Sequence, residues 1–407
     1  RYIDTRGRCA APVTFTEAVV KGLAEGGGLF VPETLPKLSL ESILSLAEIP
    51  YAKRAAFIYR SFGIDLPDAK IDELMDATYG DRFDDVAICP ITSLDENTHV
   101  LELWHGPTSA FKDMALQCLP HFFSASASQL REQGKLENTF LILVATSGDT
   151  GKAALEGFRD KEGVQIAVMY PDGGVSDIQY KQMATQAGSN VMVWAVKGNF
   201  DDCQTGAKNV FGDEAFAEKL MASNQVALSS ANSINWGRLV PQIVYYFYAY
   251  FRLVEQGNVA WGQPVDFCVP TGNFGDILAG YYAKQMGLPV GKLVCASNKN
   301  NVLTDFIKTG AYDARRTFYK TTSPSMDILI SSNLERLLYH VSGSSAKVAG
   351  WMADLAKTGM YTVDAETLAR IQASFACGCA DDTAGAAEIN ARFEQDNYLC
   401  DPHTAVA

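Results

Sequence analysis

The pattern that most restricts the fold is an alternation of short apolar runs with longer helical stretches, which begins near residue 86. Gly, Pro, Asn and Thr bound the runs, which are apolar on both faces. Strands of this kind, separated by helices, are typical of βαβ units in parallel sheets covered on both sides. The predicted strands are 99–104, 139–145, 165–170, 191–196, 225–228, 265–269 and 292–296. The predicted helices are 109–133, 151–161, 178–187, 201–220, 236–256 and 275–286. The sequence therefore predicts an α/β protein with open parallel-type sheets flanked by helices.

The two flanking regions have helical rather than strand-like periodicity. Thr14 or Thr16 is a candidate cap for a helix that runs to residue 23. Prolines separate further apolar patterns with helical spacing at 40–46, 52–62 and 69–79. Residues 1–88 are therefore predicted to be a small, mostly helical N-terminal unit, and the Ala-rich tail at 345–396 is also predicted to be helical.

Charge and composition disfavour several classes of protein. The 34 Lys and Arg against 47 Asp and Glu give a net charge of −13, and no run of five basic residues occurs, so no nucleic-acid partner is expected. No membrane association is expected, because the longest apolar stretch, 239–250, contains Pro241 and falls short of the ~20 residues of a span. The nine scattered cysteines form no C-x-x-C pair. With no signal-peptide core at the start, we expect reduced thiols, no metal site and a cytoplasmic protein.

Ligands of parallel α/β sheets bind at the carboxyl ends of strands, in the loops that lead into helices. One such loop, 104–113, places Lys112 at the start of a helix. A helix N-terminus carries partial positive charge and prefers acidic residues, so a lysine there is either an ordinary surface residue or one kept for chemistry such as Schiff-base formation.

A second loop follows the predicted strand 139–145 and is rich in Gly, Ser and Thr. It resembles a P-loop only superficially, because the required Gly is Thr146 and the required Ser or Thr is Ala153. The turn is either a plain helix cap or a site where backbone N–H groups bind phosphate or carboxylate. Its candidate residues are Thr146, Ser147, Gly148, Asp149, Thr150 and Gly151.

Two further loops have anion-binding chemistry at a helix start. The loop at 270–276 lacks the G-x-G-x-x-G dinucleotide pattern but suits a phosphate. Its candidates are Gly272, Asn273, Phe274, Gly275 and Asp276. The loop at 230–238 is either a multiple cap or an anion-binding rim, with Arg238 able to hold a phosphate or carboxylate through two hydrogen bonds. Its candidates are Asn232, Ser233, Asn235 and Arg238.

Together these loops resemble the threonine synthase family, in the family's order and across most of the chain. The stretches that carry the resemblance are Tyr2-Ile3-Asp4-Thr5-Arg6-Gly7, His105-Gly106-Pro107-Thr108-Ser109-Ala110-Phe111-Lys112-Asp113, Ala145-Thr146-Ser147-Gly148-Asp149-Thr150-Gly151, Asn232-Ser233-Ile234-Asn235-Trp236-Gly237-Arg238, Pro270-Thr271-Gly272-Asn273-Phe274-Gly275, Asn298-Lys299-Asn300-Asn301-Val302-Leu303 and Asp401-Pro402-His403-Thr404-Ala405. The match is to the longer branch, which carries an extra N-terminal domain.

The resemblance implies pyridoxal 5′-phosphate as cofactor and the fold type II architecture of tryptophan synthase β. It implies a small domain, about 126–256, that closes over a large cofactor-binding domain formed by 89–125 and 257–407, in a monomer. The implied reaction converts O-phospho-L-homoserine and water to L-threonine and phosphate. Lys112 would hold the cofactor as a Schiff base, and residues 272–276 would bind the cofactor phosphate. The turn at 146–151 and the residues Asn232, Ser233, Asn235 and Arg238 would bind the substrate.

Two alternatives and one departure accompany this interpretation. Another fold type II lyase, either a dehydratase or a threonine synthase-like phospholyase, has similar loops, although Asp149 replaces the Asn of many dehydratases and favours a synthase. A non-catalytic ligand-binding relative is the second alternative, against which the retention of Lys112 argues. The family's late Thr-x-His-Pro-Ala-Lys-Phe segment is not among these 407 residues, so no partner for the pyridine nitrogen is predicted.

Overall fold

A computed structural model of the chain describes residues 1–146, 148–198 and 200–407, apart from the side chains at 201, 204, 205 and 208. The described helices are α1 Phe15–Lys21, α2 Leu40–Leu44, α3 Tyr51–Ser61, α4 Asp68–Tyr79, α5 Asp113–Leu116, α6 Leu119–Glu132, α7 Asp149–Phe158, α8 Asp177–Ala184, α9 Phe200–Gly212, α10 Glu214–Asn224, α11 Trp236–Glu255, α12 Gly275–Gln285, α13 Val302–Thr309, α14 Leu334–Ser342, α15 Ser345–Thr358, α16 Ala365–Ser374, α17 Asp382–Asp396 and α18 Pro402–Val406. The described strands are β1 Tyr2–Asp4, β2 Phe30–Pro32, β3 Ile91–Ser93, β4 His99–Leu101, β5 Thr139–Ala145, β6 Val164–Pro171, β7 Val191–Val196, β8 Val226–Ser229, β9 Val265–Pro270, β10 Val290–Ser297, β11 Ala311–Asp313, β12 Met360–Thr362 and β13 Phe375–Cys379.

The larger sheet has the order β7-β6-β5-β8, with all pairs parallel. Its two faces are both covered, because alternate residues of β5 enter different hydrophobic clusters. Ile142 and Val144 belong to the main core, whereas Leu143 packs in a second cluster with Ala207 of α9. This arrangement confirms the prediction of a buried parallel sheet from strands that are apolar on both faces.

The smaller sheet has the order β13-β10-β9 and is also parallel. β13 was predicted as part of a helical tail, which is wrong. Its sequence, Phe-Ala-Cys-Gly-Cys, lacks β-branched residues, so local propensity gives no strand signal, and pairing with β10 determines its conformation. Two other predictions also differ from the structure. The single helix 109–133 is divided into α5 and α6, and the run 99–104 forms only β4, which pairs with β3 in a separate antiparallel hairpin.

The N-terminal unit contains α1 to α4, as predicted, and the short antiparallel pair β1 and β2, which was not predicted. Thr14 caps α1 and forms a capping box with Glu17, which confirms one of the two predicted caps. The unit is joined to α14 by side-chain contacts. Thr5 Oγ1 donates to Glu335 Oε1 at 2.5 Å, and Arg6 Nη2 lies 2.8 Å from Glu335 Oε2.

Helix α11 is buried along nearly its whole length and packs against α3, α5 and α12. None of the helices in the described ranges is long and apolar enough to cross a membrane. All nine cysteines are described, and none is in a disulfide. Within the described residues, no group of His, Cys, Asp and Glu side chains is arranged to hold a metal ion. The proposed division of the α/β part at 126–256 stays a prediction.

Candidate active site

A cavity of about 2290 Å³ lies where the four predicted loops meet, at the carboxyl ends of β5, β8 and β9. Each loop contributes residues to its wall, which supports the rule that ligands bind at this edge of parallel sheets. The predicted site residues that line it are Lys112, Thr146, Asp149, Thr150, Asn232, Ser233, Arg238, Gly272, Asn273, Gly275 and Asp276.

Of the remaining predicted residues, Ser147 lies outside the described residues. The other four do not line the cavity. Gly148 and Gly151 form the turn behind its wall. Asn235 is fully buried, and its amide caps α11 by accepting from Gly237 N at 2.9 Å and donating to Val19 O at 2.9 Å. Phe274 is fully buried as well. These four positions do not line the cavity, and their proposed roles in binding stay predictions.

Lys112 is the N-cap residue of α5, and its side chain is only 13% exposed. Its Nζ donates to Asp149 Oδ2 at 3.2 Å and to Ser325 Oγ at 3.1 Å. The same ammonium lies 4.7 Å from the centre of the Phe111 ring, within the range of a cation–π contact. The lysine is thus fixed at the cavity wall by a carboxylate from one loop and a hydroxyl from another.

Asp149 begins α7 and faces Lys112 across the cavity wall. Burial by itself raises the pKa of Asp149, but the Lys112 charge and the hydrogen bond from Ser325 outweigh it, so that the pKa lies below its usual range. Gln179 Nε2 donates to the other carboxylate oxygen at 2.6 Å. Asp149 is therefore an ionised, immobilised partner for the lysine.

The turn around Thr146 is stabilised internally. Thr146 Oγ1 accepts from Gly148 N and from Gly151 N, each at 2.9 Å, so this hydroxyl acts as an internal cap. The turn places a second cation at the cavity, since Lys152 is buried and donates to Thr108 O at 2.6 Å. Burial lowers the pKa of Lys152. Sequence reasoning did not select Lys152 for the site.

The start of α12 is a candidate anion site. Phe274 precedes the helix in the left-handed conformation, with φ 65°, and supplies no side-chain cap. Asp276 Oδ1 accepts from Ile277 N at 2.8 Å, so the N–H groups before Asp276 are the ones that stay available to an anion. A Cβ at Gly272 would lie 2.5 Å from Ser325 O, so the close approach of the two backbones requires glycine there. Asn333 Nδ2 is buried without a partner among the described residues and lies 3.3 Å from the Cβ position of Gly275.

Asp276 lies in the first turn of α12 and also lines the cavity. Burial raises the pKa of Asp276 to about 6, against the opposing effects of the Ile277 N–H and the Lys112 charge. The site therefore contains a carboxyl that is held ionised, Asp149, and a carboxyl whose pKa is raised by burial, Asp276.

Arg238 is a buried cation with few partners. It is 3% exposed and donates to Ala231 O at 2.6 Å. Its Nε has no hydrogen-bond partner among the described residues. Burial lowers the pKa of Arg238 to about 10. A guanidinium this deeply buried at a cavity wall is suited to an anionic ligand.

Sequence reasoning missed three further residues that line the cavity. Ser325 lies in a 3₁₀ turn, Pro324–Met326, that carries no recognised ligand-binding pattern. His403 accepts a hydrogen bond from Ser325 N through Nε2 at 3.2 Å, and its Nδ1 lies 2.9 Å from Asp401 Oδ1. Gln242 lies one turn beyond Arg238 in α11. Only His403 lay within a stretch already singled out by the sequence.

The arrangement of two parallel sheets around this cavity is the fold type II architecture of pyridoxal-phosphate enzymes. The structure superimposes on the PLP-bound threonine synthase from Brucella melitensis with a TM-score of 0.90 and 41% identity, covering 100% of this chain and 83% of that chain. The sequence is 41% identical to threonine synthase from Pseudomonas aeruginosa, covering 100% of this chain and 83% of that protein. A family model for the threonine synthase N terminus matches residues 1–79.

The chain therefore belongs to the threonine synthase family. It is also 43% identical, over 97% of its length, to Threonine synthase-like 1 from Homo sapiens. The chain spans about half of that relative, 53% of its length.

Proposed function

We propose that this protein is a threonine synthase, a pyridoxal-phosphate-dependent carbon–oxygen lyase that converts O-phospho-L-homoserine and water to L-threonine and phosphate. The observation that carries the proposal is one cavity that holds Lys112, an uncapped helix start and the buried guanidinium of Arg238. Family membership across the whole chain supports it.

The residues present fit the cofactor. Lys112 would hold it through its amine, and the N–H groups of residues 272–276 would bind its phosphate at the N-terminus of α12. The unpaired Asn333 Nδ2 beside Gly275 is a further donor near this anion site. When bound, the cofactor withdraws electrons and so stabilises negative charge on the substrate's carbon atoms.

The substrate carries two anionic groups, a carboxylate and a phosphate, and the cavity supplies two buried cations, Arg238 and Lys152. We assign anion binding to these two side chains, assisted by Asn232, Ser233 and Thr150 at the wall. Because a charge in a dry site interacts more strongly than in water, pairing with the substrate offsets the cost of burying both cations.

Proton transfer is assigned to Lys112, whose amine would hold the cofactor at the cavity wall. Its Nζ would take the proton from Cα of the substrate, after which loss of a Cβ proton allows phosphate to leave from Cγ. A proton is then added at Cγ, water adds its OH at Cβ, and return of a second proton to Cα completes threonine. Asp149 keeps Nζ at a fixed position between these steps, since both of its oxygens are held by hydrogen bonds.

The cavity wall contains residues from both parallel sheets, so relative movement of the segment 126–256 against the rest would open or close the site. We propose that this segment forms the closing domain. A monomeric, cytoplasmic protein stays a prediction.

The test is to measure phosphate release and threonine formation from O-phospho-L-homoserine, with added cofactor, for the wild type and for Lys112→Ala. Equal amounts of both products from the wild type alone are expected. A control is Lys284→Ala, since Lys284 is a partly buried lysine outside the cavity wall that donates to Gly291 O at 2.6 Å.

Other outcomes would identify the alternatives. Phosphate without threonine would indicate a phospholyase that eliminates but does not hydrate. No product, with cofactor bound to the protein, would indicate a different lyase or a ligand-binding relative. Near-normal turnover by Lys112→Ala would overturn the assignment of the lysine.

A further inference from the structure

A polar network around Asp327, which lines the cavity, gives a role to Asn298 and Asn300, to which the proposed function assigns none. Asp327 is buried and accepts from Asn298 Nδ2 at 2.8 Å and from Asn300 Nδ2 at 3.0 Å. Thr321 donates to the same carboxylate through its N–H at 2.9 Å and its Oγ1 at 2.7 Å. Four donors thus satisfy this carboxylate, and we call Asn298, Asn300, Thr321 and Asp327 the Asp327 network.

The network holds both ends of the turn Pro324–Met326. Before the turn, Asn298 Nδ2 also donates to Ser323 Oγ at 3.0 Å. The turn itself closes through the hydrogen bonds from Met326 N to Ser323 O, at 3.0 Å, and from Asp327 N to Pro324 O, at 3.1 Å. Because buried, fully paired polar networks fix one geometry, Ser325 at the tip of this turn has a fixed position.

From that position Ser325 contacts Lys112 and Asp149. Its Oγ accepts from Lys112 Nζ at 3.1 Å and donates to Asp149 Oδ2. Its backbone oxygen lies against Gly272, and its N–H donates to His403 Nε2 at 3.2 Å. One serine therefore connects the reactive lysine, its carboxylate partner and the loop assigned to the cofactor phosphate.

We propose that Ser325 is a further catalytic residue, which couples the Lys112 amine to Asp149, and that the Asp327 network is the positioning device that holds its hydroxyl there. The hydroxyl accepts from the Lys112 ammonium and donates to the ionised carboxylate of Asp149. It therefore fixes the direction of a Lys112 N–H bond and of the Asp149 oxygen without itself losing a proton. The inference rests on the proposed function, because it takes Lys112 as the reacting amine.

The experiment compares Ser325→Ala and Ser325→Thr, with Thr367→Ala as a matched control. Thr367 is a buried residue whose Oγ1 donates to a carboxylate, Asp364 Oδ1, at 3.0 Å, but it does not line the cavity. Two quantities are measured: kcat and KM for threonine formation, and the pH profile of Lys112 labelling by pyridoxal 5′-phosphate and borohydride, read by mass spectrometry.

For Ser325→Ala we expect kcat to fall by roughly 10- to 100-fold, the range for losing a hydrogen bond to charged groups, with little change in KM and a displaced labelling profile. Ser325→Thr keeps the hydroxyl and should restore most of kcat. Thr367→Ala should lose stability only. Wild-type kcat together with a wild-type labelling profile in Ser325→Ala would overturn the catalytic assignment.

Asp327→Asn tests the positioning role of the Asp327 network. The substitution replaces one carboxylate oxygen, which accepts hydrogen bonds, with an NH2 group that faces the donors of Asn298, Asn300 and Thr321. It should lower kcat and displace the labelling profile in the same direction as Ser325→Ala. If this variant does not fold, Asn300→Ala removes a single donor and should produce a smaller change of the same kind. Unchanged values in a folded network variant would refute the positioning role.

The labelling readout separates failure of this inference from failure of the proposed function. A wild-type protein that forms no threonine, but whose Lys112 labelling depends on the Ser325 hydroxyl, would retain the inference and overturn the function. Threonine formation by the wild type, together with Lys112 labelling that is unchanged in Ser325→Ala, would retain the proposed function and overturn the inference.

Discussion

Replacement of Arg238 by methionine should stabilise the ligand-free protein while it weakens substrate binding. Burial lowers the pKa of Arg238 from its ordinary value of 12.5 to about 10, which corresponds to about 3 kcal/mol against the charged form in the folded state. The substitution also leaves the buried Ala231 O without its donor, which costs about 1–3 kcal/mol. The free energy of unfolding should therefore rise by up to about 2 kcal/mol, since methionine fills a similar space without charge.

The functional effect should have the opposite sign. Hydrogen bonds to charged groups contribute about 1.5–3 kcal/mol each, so KM for O-phospho-L-homoserine should rise roughly 10- to 100-fold. Urea denaturation in phosphate-free buffer measures stability, and steady-state threonine formation measures KM. Added inorganic phosphate should raise the urea midpoint of the wild type more than that of the variant.

A matched control is Arg336→Met. Burial lowers the pKa of Arg336 to about 10 as well, but its guanidinium donates to Phe30 O at 2.9 Å and to Ile234 O at 2.6 Å. Removal of Arg336 leaves four acceptors without this donor, since Ser233 O and Asn333 Oδ1 are also its partners. At about 1–3 kcal/mol per group, this loss outweighs the same gain of about 3 kcal/mol from removing a buried charge and should destabilise the protein. An Arg238→Met protein that is destabilised to a similar extent, with unchanged KM, would refute the reasoning.

Three further predictions concern other parts of the structure. Gly272→Ala should displace the turn Pro324–Met326 locally and weaken cofactor binding, measured by titration of the visible absorbance, because its Cβ would lie 2.5 Å from the backbone oxygen of Ser325. Lys112→Ala should bind no cofactor covalently, so that borohydride fixes no label on the protein. His340→Asn should make the stability of the protein less sensitive to acid. Burial and the Arg336 charge lower the pKa of His340 to about 4, so the unfolded state takes up a proton at higher pH than the folded state does. The free energy of unfolding of the wild type should therefore fall between pH 6.5 and pH 4, by up to about 1.4 kcal/mol per pH unit from this group. Urea midpoints over that range measure the difference, and identical slopes would contradict the assignment.

The sequence predicts the fold well where local patterns are decisive. The strands β5, β6 and β7 are apolar on both faces and bounded by turn residues, so their position and parallel pairing follow from periodicity. β13 does not, because Gly378 and two cysteines make up most of a five-residue strand. Its conformation depends on pairing with β10, about 80 residues earlier, and no local signal reports that contact.

The same distinction holds for the site. Lys112 and Arg238 were found because they lie in loops that the strand–helix order places at one edge of a sheet. Ser325 was missed because its partners are distant in sequence: Lys112 is 213 residues away and Asp149 is 176 residues away. Asn235 was selected for its polar surroundings, but the structure uses its amide to cap α11, a role that the sequence analysis left open as a multiple cap.

The contacts of Thr5 and Arg6 with Glu335 set an order for folding on the ribosome. Thr5 and Glu335 are 330 residues apart, and at 5–20 residues per second the ribosome needs roughly 15 to 65 s to bridge that distance. During that interval β1 and β2 have no α14 to pack against, and Phe30 O has no guanidinium to accept from. The N-terminal unit is therefore synthesised before α14 and gains its contacts with α14 late. Nascent chains that stop before residue 335 should be cut by protease within 1–35, whereas longer chains should be protected there.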